Sequence, residues 1–131
     1  MAKKRILIAT STFGAHSNEP IDRLEDGSRE ILLNPLSRKL TSNELIKYAH
    51  DATGIIAGTE LYTKEVLDEL PNLKVISRLG VGMDNIDLDA AKQKGIKIYK
   101  TQTTPALAVA ELVLGFMLDL VRKISHQNNT L

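Results

Sequence analysis

Residues 73–87 read LKVISRLGVGMDNID, and this stretch decides the fold. Leu73, Val75 and Ile76 make a short apolar run, Gly80, Val81 and Gly82 form a turn-prone loop, and Asp87 opens a helical pattern. A buried strand that empties through glycines into a capped helix is one βα unit. Outward from it, comparable apolar runs predict strands over 5–10, 30–33, 54–57 and 96–99 beside the one over 73–77. Helical patterns fall over 19–26, 43–52, 64–70, 88–94 and 105–124. Thr41 with Glu44 fits a capping box, Thr63 and Asp87 can accept from free helix N–H groups, and Pro105 suits a first helical position. Gly27 and Gly95 suit left-handed helix ends. Strict alternation with short connections implies right-handed crossovers and a parallel sheet covered on both faces. The expected class is α/β, a flavodoxin-like five-stranded parallel sheet in one domain over residues 1–124, with a polar, frayed tail over 125–131.

Composition bounds the partners. The chain has 131 residues, 43% hydrophobic and 25% charged, the size and balance of one globular domain. Seventeen basic residues against sixteen acidic ones leave a net charge of +1, and the signs are interspersed, so no nucleic-acid or anionic-membrane partner is expected. The cluster Lys3, Lys4, Arg5 is short enough to be a solvated end. Absence of cysteine removes disulfides, thiolate metal sites and thiol nucleophiles together. The charged start precedes only a brief apolar run from Ile6 to Ala9, unlike a secretory leader, and a cytoplasmic location is expected.

The helix over 105–124 carries Leu112, Val113, Leu114, Phe116, Met117, Leu118, Leu120 and Val121 around nearly its whole circumference. A surface helix needs only one apolar stripe. Glu111 and Asp119 bracket a run far shorter than the roughly 20 residues of a membrane span. A partner surface is therefore expected, and self-pairing in a homo-oligomer is its simplest form.

The loop after the strand over 73–77 suits an anion. Glycine lets backbone approach a ligand, and N–H groups near a strand's carboxyl end and a helix start can hold a carboxylate. On spacing alone, Gly80 and Gly82 could equally just turn the chain. This is not a dinucleotide fingerprint: Asn85 stands where the third glycine belongs, and the next strand ends at Tyr99 and Lys100, without an acidic ribose partner. Arg78 could meet an anion or bond to loop carbonyls or a carboxylate. His16, His50 and His126 have no metal-ligand spacing, and no metal is expected.

Two blocks, LPNLKVISRLGVGMDNIDLDAAKQKGIKI and AVAELVLGFMLDLVRKI, resemble the N-terminal domain of D-2-hydroxyacid dehydrogenases, particularly the phosphoglycerate-dehydrogenase-like branch. The stretch GIIAGTELYTKEVLDEL extends the resemblance more weakly, and residues 1–53 agree mainly in the order of elements. The resemblance implies a two-domain enzyme with a small 2-hydroxy or 2-keto acid in the interdomain cleft and NAD on a separate Rossmann-type domain. It implies that backbone N–H groups of Val81 and Gly82 hold the substrate carboxylate and that the loop of Gly58, Thr59 and Glu60 faces the cleft. The family's His, its Glu partner and the Arg that polarises the keto oxygen lie on the nucleotide-binding domain. This chain is thus expected to hold no catalytic residue, bind no cofactor by itself and turn nothing over alone. It departs from the family at Ala57 and Gly58, where many phosphoglycerate dehydrogenases carry Arg-Ser, so recognition of a phosphorylated substrate does not carry over. A second departure is Lys100, Thr101 and Gln102 before Pro105, in place of the common Asn-Thr-Pro.

Three other readings compete. A flavodoxin-type FMN binder could cradle phosphate with Thr10, Ser11, Thr12, Phe13 and Gly14, but no Trp, three Tyr and two Phe offer few rings for a flavin. A phosphoacceptor receiver domain needs acidic residues where Ser11, Thr12 and Ala57 stand. A stand-alone binding or dimerisation module remains compatible with the apolar helix.

Overall fold

The computed structural model describes residues 4–128. Five strands, β1 Lys4–Ile8, β2 Arg29–Leu33, β3 Gly54–Ala57, β4 Val75–Arg78 and β5 Lys97–Lys100, form one sheet in the order β2-β1-β3-β4-β5. Every pairing is parallel, and the order is the flavodoxin-like one. Alternate side chains point to opposite faces. The register aligns Leu7 with Ile55 and Ile55 with Ile76, and all three are buried on one face. Helices α2 Ser42–Ala49, α3 Lys64–Asp68 and α4 Leu88–Gln93 supply Leu45, Ala49, Val66, Leu67, Ala90 and Ala91 to the same core. Each fully buried Leu or Ile there stabilises by about 1.5–3 kcal/mol.

The opposite face carries Ile6, Gly54 and Val75 in register, then Ile8, Ile56 and Ser77. Its cover is thin. Helix α1, Glu19–Asp22, sets Ile21 beside Ile8 and Leu33. Beyond it, Ile6, Ile56, Val75 and Leu24 line an open cavity of about 420 Å³ that also meets Lys4, Arg29 and Lys74.

The helix starts follow the chemistry of their first residues. Thr41 and Glu44 make a reciprocal capping box, Thr63 accepts from Val66 N–H, and Asp87 accepts from Ala90 N–H. Gly95 takes positive φ just past the end of α4, which glycine tolerates because it has no Cβ, whereas Gly27, also at positive φ, lies in the turns after α1 rather than at its end. Helix α1 stops at Asp22 rather than 26: Leu24 N–H bonds three residues back to Ile21, Glu25 N–H is shared between Ile21 and Asp22, and Asp26 N–H bonds only two back to Leu24, so the chain passes into turns. Pro105 is the N-cap of helix α5, Ala106–Arg122, not its first turn.

Lys123 closes α5 in the left-handed region, at φ 53° and ψ 40°. Beyond it, Ile124–Asn128 forms the short helix α6. Its anchor is Asp119, whose carboxylate accepts from Ser125 N–H at 2.7 Å and Ser125 Oγ at 2.8 Å. The rest of the expected tail, residues 129–131, and Lys3 lie outside the described residues. No residue of α5 is buried, and Leu107 and Val121 stand 73% and 79% exposed. Among the described residues no helix is long and apolar enough to cross a membrane. Arg5, from the basic cluster, is paired with Glu30 at 3.1 Å and Asp51 at 3.2 Å.

Candidate functional site

Because all strands run the same way, the loops leaving β1, β3 and β4 gather at one edge of the sheet. They are tightly interlocked. A Cβ on Gly58 would stand 2.8 Å from Thr10 Cβ and 3.1 Å from Glu60 Oε2, so only glycine lets the β1 and β3 loops approach this closely. Gly58 N–H donates to Glu60 Oε2 at 2.7 Å. The Asn85 amide, from the β4 loop, donates to Glu60 O at 2.7 Å and Gly58 O at 3.2 Å. Tyr62 N–H donates to Asn85 O at 2.8 Å, and Asp87 N–H returns to Tyr62 O at 2.9 Å. These bonds splice the β3 and β4 loops into one surface.

Between the loops lies a cavity of about 180 Å³ whose lining includes Thr10, Thr12, Gly58, Thr59, Glu60 and Arg78. Three of the residues singled out from sequence, Gly58, Thr59 and Arg78, thus share one space. Gly58 cannot offer its N–H to a ligand while Glu60 holds it. Arg78 is partly engaged as well. Its Nε donates to Asn85 Oδ1 at 3.3 Å, and its Nη1 donates to the Leu79 carbonyl. The guanidinium lies over Gly80, which takes φ +138° and where a Cβ would stand 2.5 Å from Arg78 Nη1.

Val81 and Gly82 follow directly, outside the lining of that cavity. Val81 is half-buried and Gly82 exposed. Among the described residues neither N–H is given to a protein acceptor. A Cβ on Gly82 would meet only Asp84 Oδ2, at 3.8 Å, so this backbone is open to an approaching group. Two adjacent free N–H groups beside an arginine-backed loop can hold a carboxylate.

Glu60 was missed by sequence reasoning as more than a loop neighbour. It is 2% exposed, the buried charged side chain of the site. Lys39 also reaches the cavity and was likewise unforeseen. The described residues contain no cluster of His, Cys, Asp or Glu able to hold a metal, and His16 and His50 are exposed.

A five-stranded parallel sheet in this order, with loops gathered at its carboxyl edge, defines a flavodoxin-like α/β domain. Residues 6–127 match the D-isomer specific 2-hydroxyacid dehydrogenase catalytic domain, and the chain belongs to that family. It is 33% identical over 120 residues to a hydroxypyruvate reductase of Thermotoga maritima, covering 87% of this chain and 38% of that protein. It is 39% identical over 94 residues to a D-3-phosphoglycerate dehydrogenase of Methanocaldococcus jannaschii, covering 70% of this chain and 18% of the relative. The structure of an NAD⁺-bound 3-phosphoglycerate dehydrogenase of Entamoeba histolytica superposes with a TM-score of 0.68 and 25% identity, over 90% of this chain and 39% of that one. The chain therefore spans well under half the length of these relatives.

Proposed function

We propose that this chain is the substrate-holding part of an NAD-dependent D-2-hydroxyacid dehydrogenase, and that it performs no turnover by itself. The observation that carries the reading is the pair of uncommitted N–H groups at Val81 and Gly82, at the carboxyl edge of the sheet. There they would grip the carboxylate of a small 2-hydroxy or 2-keto acid, with Thr59 and Arg78 close by. NAD would be held by a separate Rossmann-type domain that also supplies the acid–base and carbonyl-polarising groups, since hydride transfer needs all of them aligned with the substrate. The cytoplasm is the proposed setting. In an NMR titration with glycerate and glyoxylate, the Val81 and Gly82 amides should move before any others. Shifts confined to other regions would sink the carboxylate site.

Helix α5 supports a second element of the proposal. An apolar helix of 17 residues with none buried calls for a docking partner, supplied by the nucleotide-binding domain or by α5 of a second copy. This chain should associate in a concentration-dependent way in sedimentation experiments. A compact monomer at high concentration, with α5 protected from hydrogen exchange, would argue against pairing.

A further inference from the structure

The buried acid in the site has no assigned task. Glu60 forms part of the cavity lining while remaining 2% exposed. Among the described residues its carboxylate receives one hydrogen bond, from Gly58 N–H at 2.7 Å, and pairs with no cation within 4.0 Å. Buried carboxylates ordinarily come paired, because removing a charge from water costs free energy that partners must offset. Arg78, the guanidinium in the lining, gives its Nε to Asn85 and its Nη1 to Leu79 and makes no ion pair with Glu60. Lys39, the other cation of the lining, is exposed and makes no ion pair with Glu60. The remaining polar side chains of the lining, Thr10, Ser11, Thr12 and Thr59, are neutral hydroxyls, and Thr10 Oγ1 is already bonded to Thr12 Oγ1 at 3.0 Å.

We propose that Glu60 is a specificity-determining residue: it accepts a hydrogen bond from a hydroxyl of a small unphosphorylated hydroxy acid and repels a phosphate at the same position. The proposal rests on the reading above, that this edge of the sheet holds such an acid. A hydroxyl donating to a carboxylate makes a charge-assisted bond, stronger than a neutral one. A phosphate cannot donate in its dianionic form, and it would bring like charge toward a group already withdrawn from water, where Coulomb repulsion is larger than in bulk. In this reading the Val81 and Gly82 N–H groups, next to the cavity, would hold the carboxylate while Glu60, in its lining, would meet the hydroxyl.

The test compares glycerate with 3-phosphoglycerate in NMR titrations of the 131-residue chain at matched ionic strength. Glycerate should shift the Val81 and Gly82 amides and also the Gly58 amide that Glu60 holds, and 3-phosphoglycerate should bind at least tenfold more weakly. Glu60→Gln keeps the shape and an acceptor for Gly58 and should shrink the difference to less than threefold. Should that variant not fold, Thr59→Lys adds a cation at an exposed position of the same cavity and should likewise raise 3-phosphoglycerate binding. Equal binding of the two ligands to the native chain, with Val81 and Gly82 still shifted, overturns the role of Glu60 and leaves the carboxylate site standing. So does a Thr59→Lys chain that gains nothing. If glycerate moves neither loop, the carboxylate site and the role of Glu60 fall together.

Discussion

Replacing Tyr62 by Phe should make this protein more stable. Tyr62 is 0% exposed, and its hydroxyl is the buried side-chain polar atom without a hydrogen-bond partner among the described residues. Leaving a hydroxyl dry and unpaired costs about 1–3 kcal/mol. Phenylalanine removes that cost and leaves a void of roughly 15 Å³, which at about 24 cal/mol per Å³ returns only ~0.4 kcal/mol. The backbone bonds of Tyr62 to Asn85 and Asp87 do not depend on the side chain. The net gain should be about 1–2 kcal/mol, or about 3–8 °C in melting temperature for a domain of this size. Urea unfolding followed by circular dichroism should show a later midpoint with an unchanged slope. A pH series adds an independent check. Burial, then the charge of Glu60, push the Tyr62 phenol well above its usual 10.0. The unfolded phenol ionises near 10.0 while the folded one does not, so native stability should fall as pH rises through that value. Tyr62→Phe lacks this loss, and its advantage should widen above that pH. A variant less stable than the native chain at neutral pH would refute the reasoning, since it would show that the hydroxyl has a partner worth more than its desolvation.

Other substitutions probe the frame of the site. Thr41→Ala removes the cap of α2 and should cost about 1 kcal/mol in chemical unfolding. The Arg38 hydrogen bond, with the Thr41 N–H, holds the Glu44 carboxyl down to about 2 from 4.5, so its contribution is present above 4.5 and lost as pH falls toward 2. Glu44→Gln should therefore flatten the acid limb of the stability curve. Gly58→Ala, forced against Thr10 and Glu60, should destabilise by about 1–3 kcal/mol and broaden the β1 and β3 loop resonances. Leu114→Glu in α5 should weaken self-association more than tenfold in sedimentation without moving the melting of the sheet.

The elements were legible in the sequence because each carries its own local signal. Strand β3 falls on the predicted residues, and the other strands within two residues, because apolar runs end where Gly, Thr and Asn begin. Helix caps at Thr41, Thr63 and Asp87 were readable because the backbone N–H that each side chain accepts from lies three residues away. The helix α6 was not, since the bond between Asp119 and Ser125 depends on Lys123 turning left-handed, which lysine seldom does. Glu60 shows the larger limit. In a run reading Gly-Thr-Glu-Leu, an acid looks like a solvated loop residue, and only the approach of the β1 loop to Gly58 buries it. Arg78 could be singled out from its place before the glycines, but its turn back onto Leu79 needs the space that a missing Cβ at Gly80 leaves, which only the folded loop reveals.

The exposure of α5 has a consequence for cooperativity. Its backbone bonds are its own, and no side chain of it is buried, so its order rests on helix–coil equilibrium and on the closure at Lys123. The cooperative unit that melts as one body accordingly ends near β5, and a spectroscopic probe placed on α5 would report a different transition from one placed on the sheet. Docking of the proposed partner on α5 would then also be the last step of folding, in which part of the contact energy is absorbed by ordering the helix.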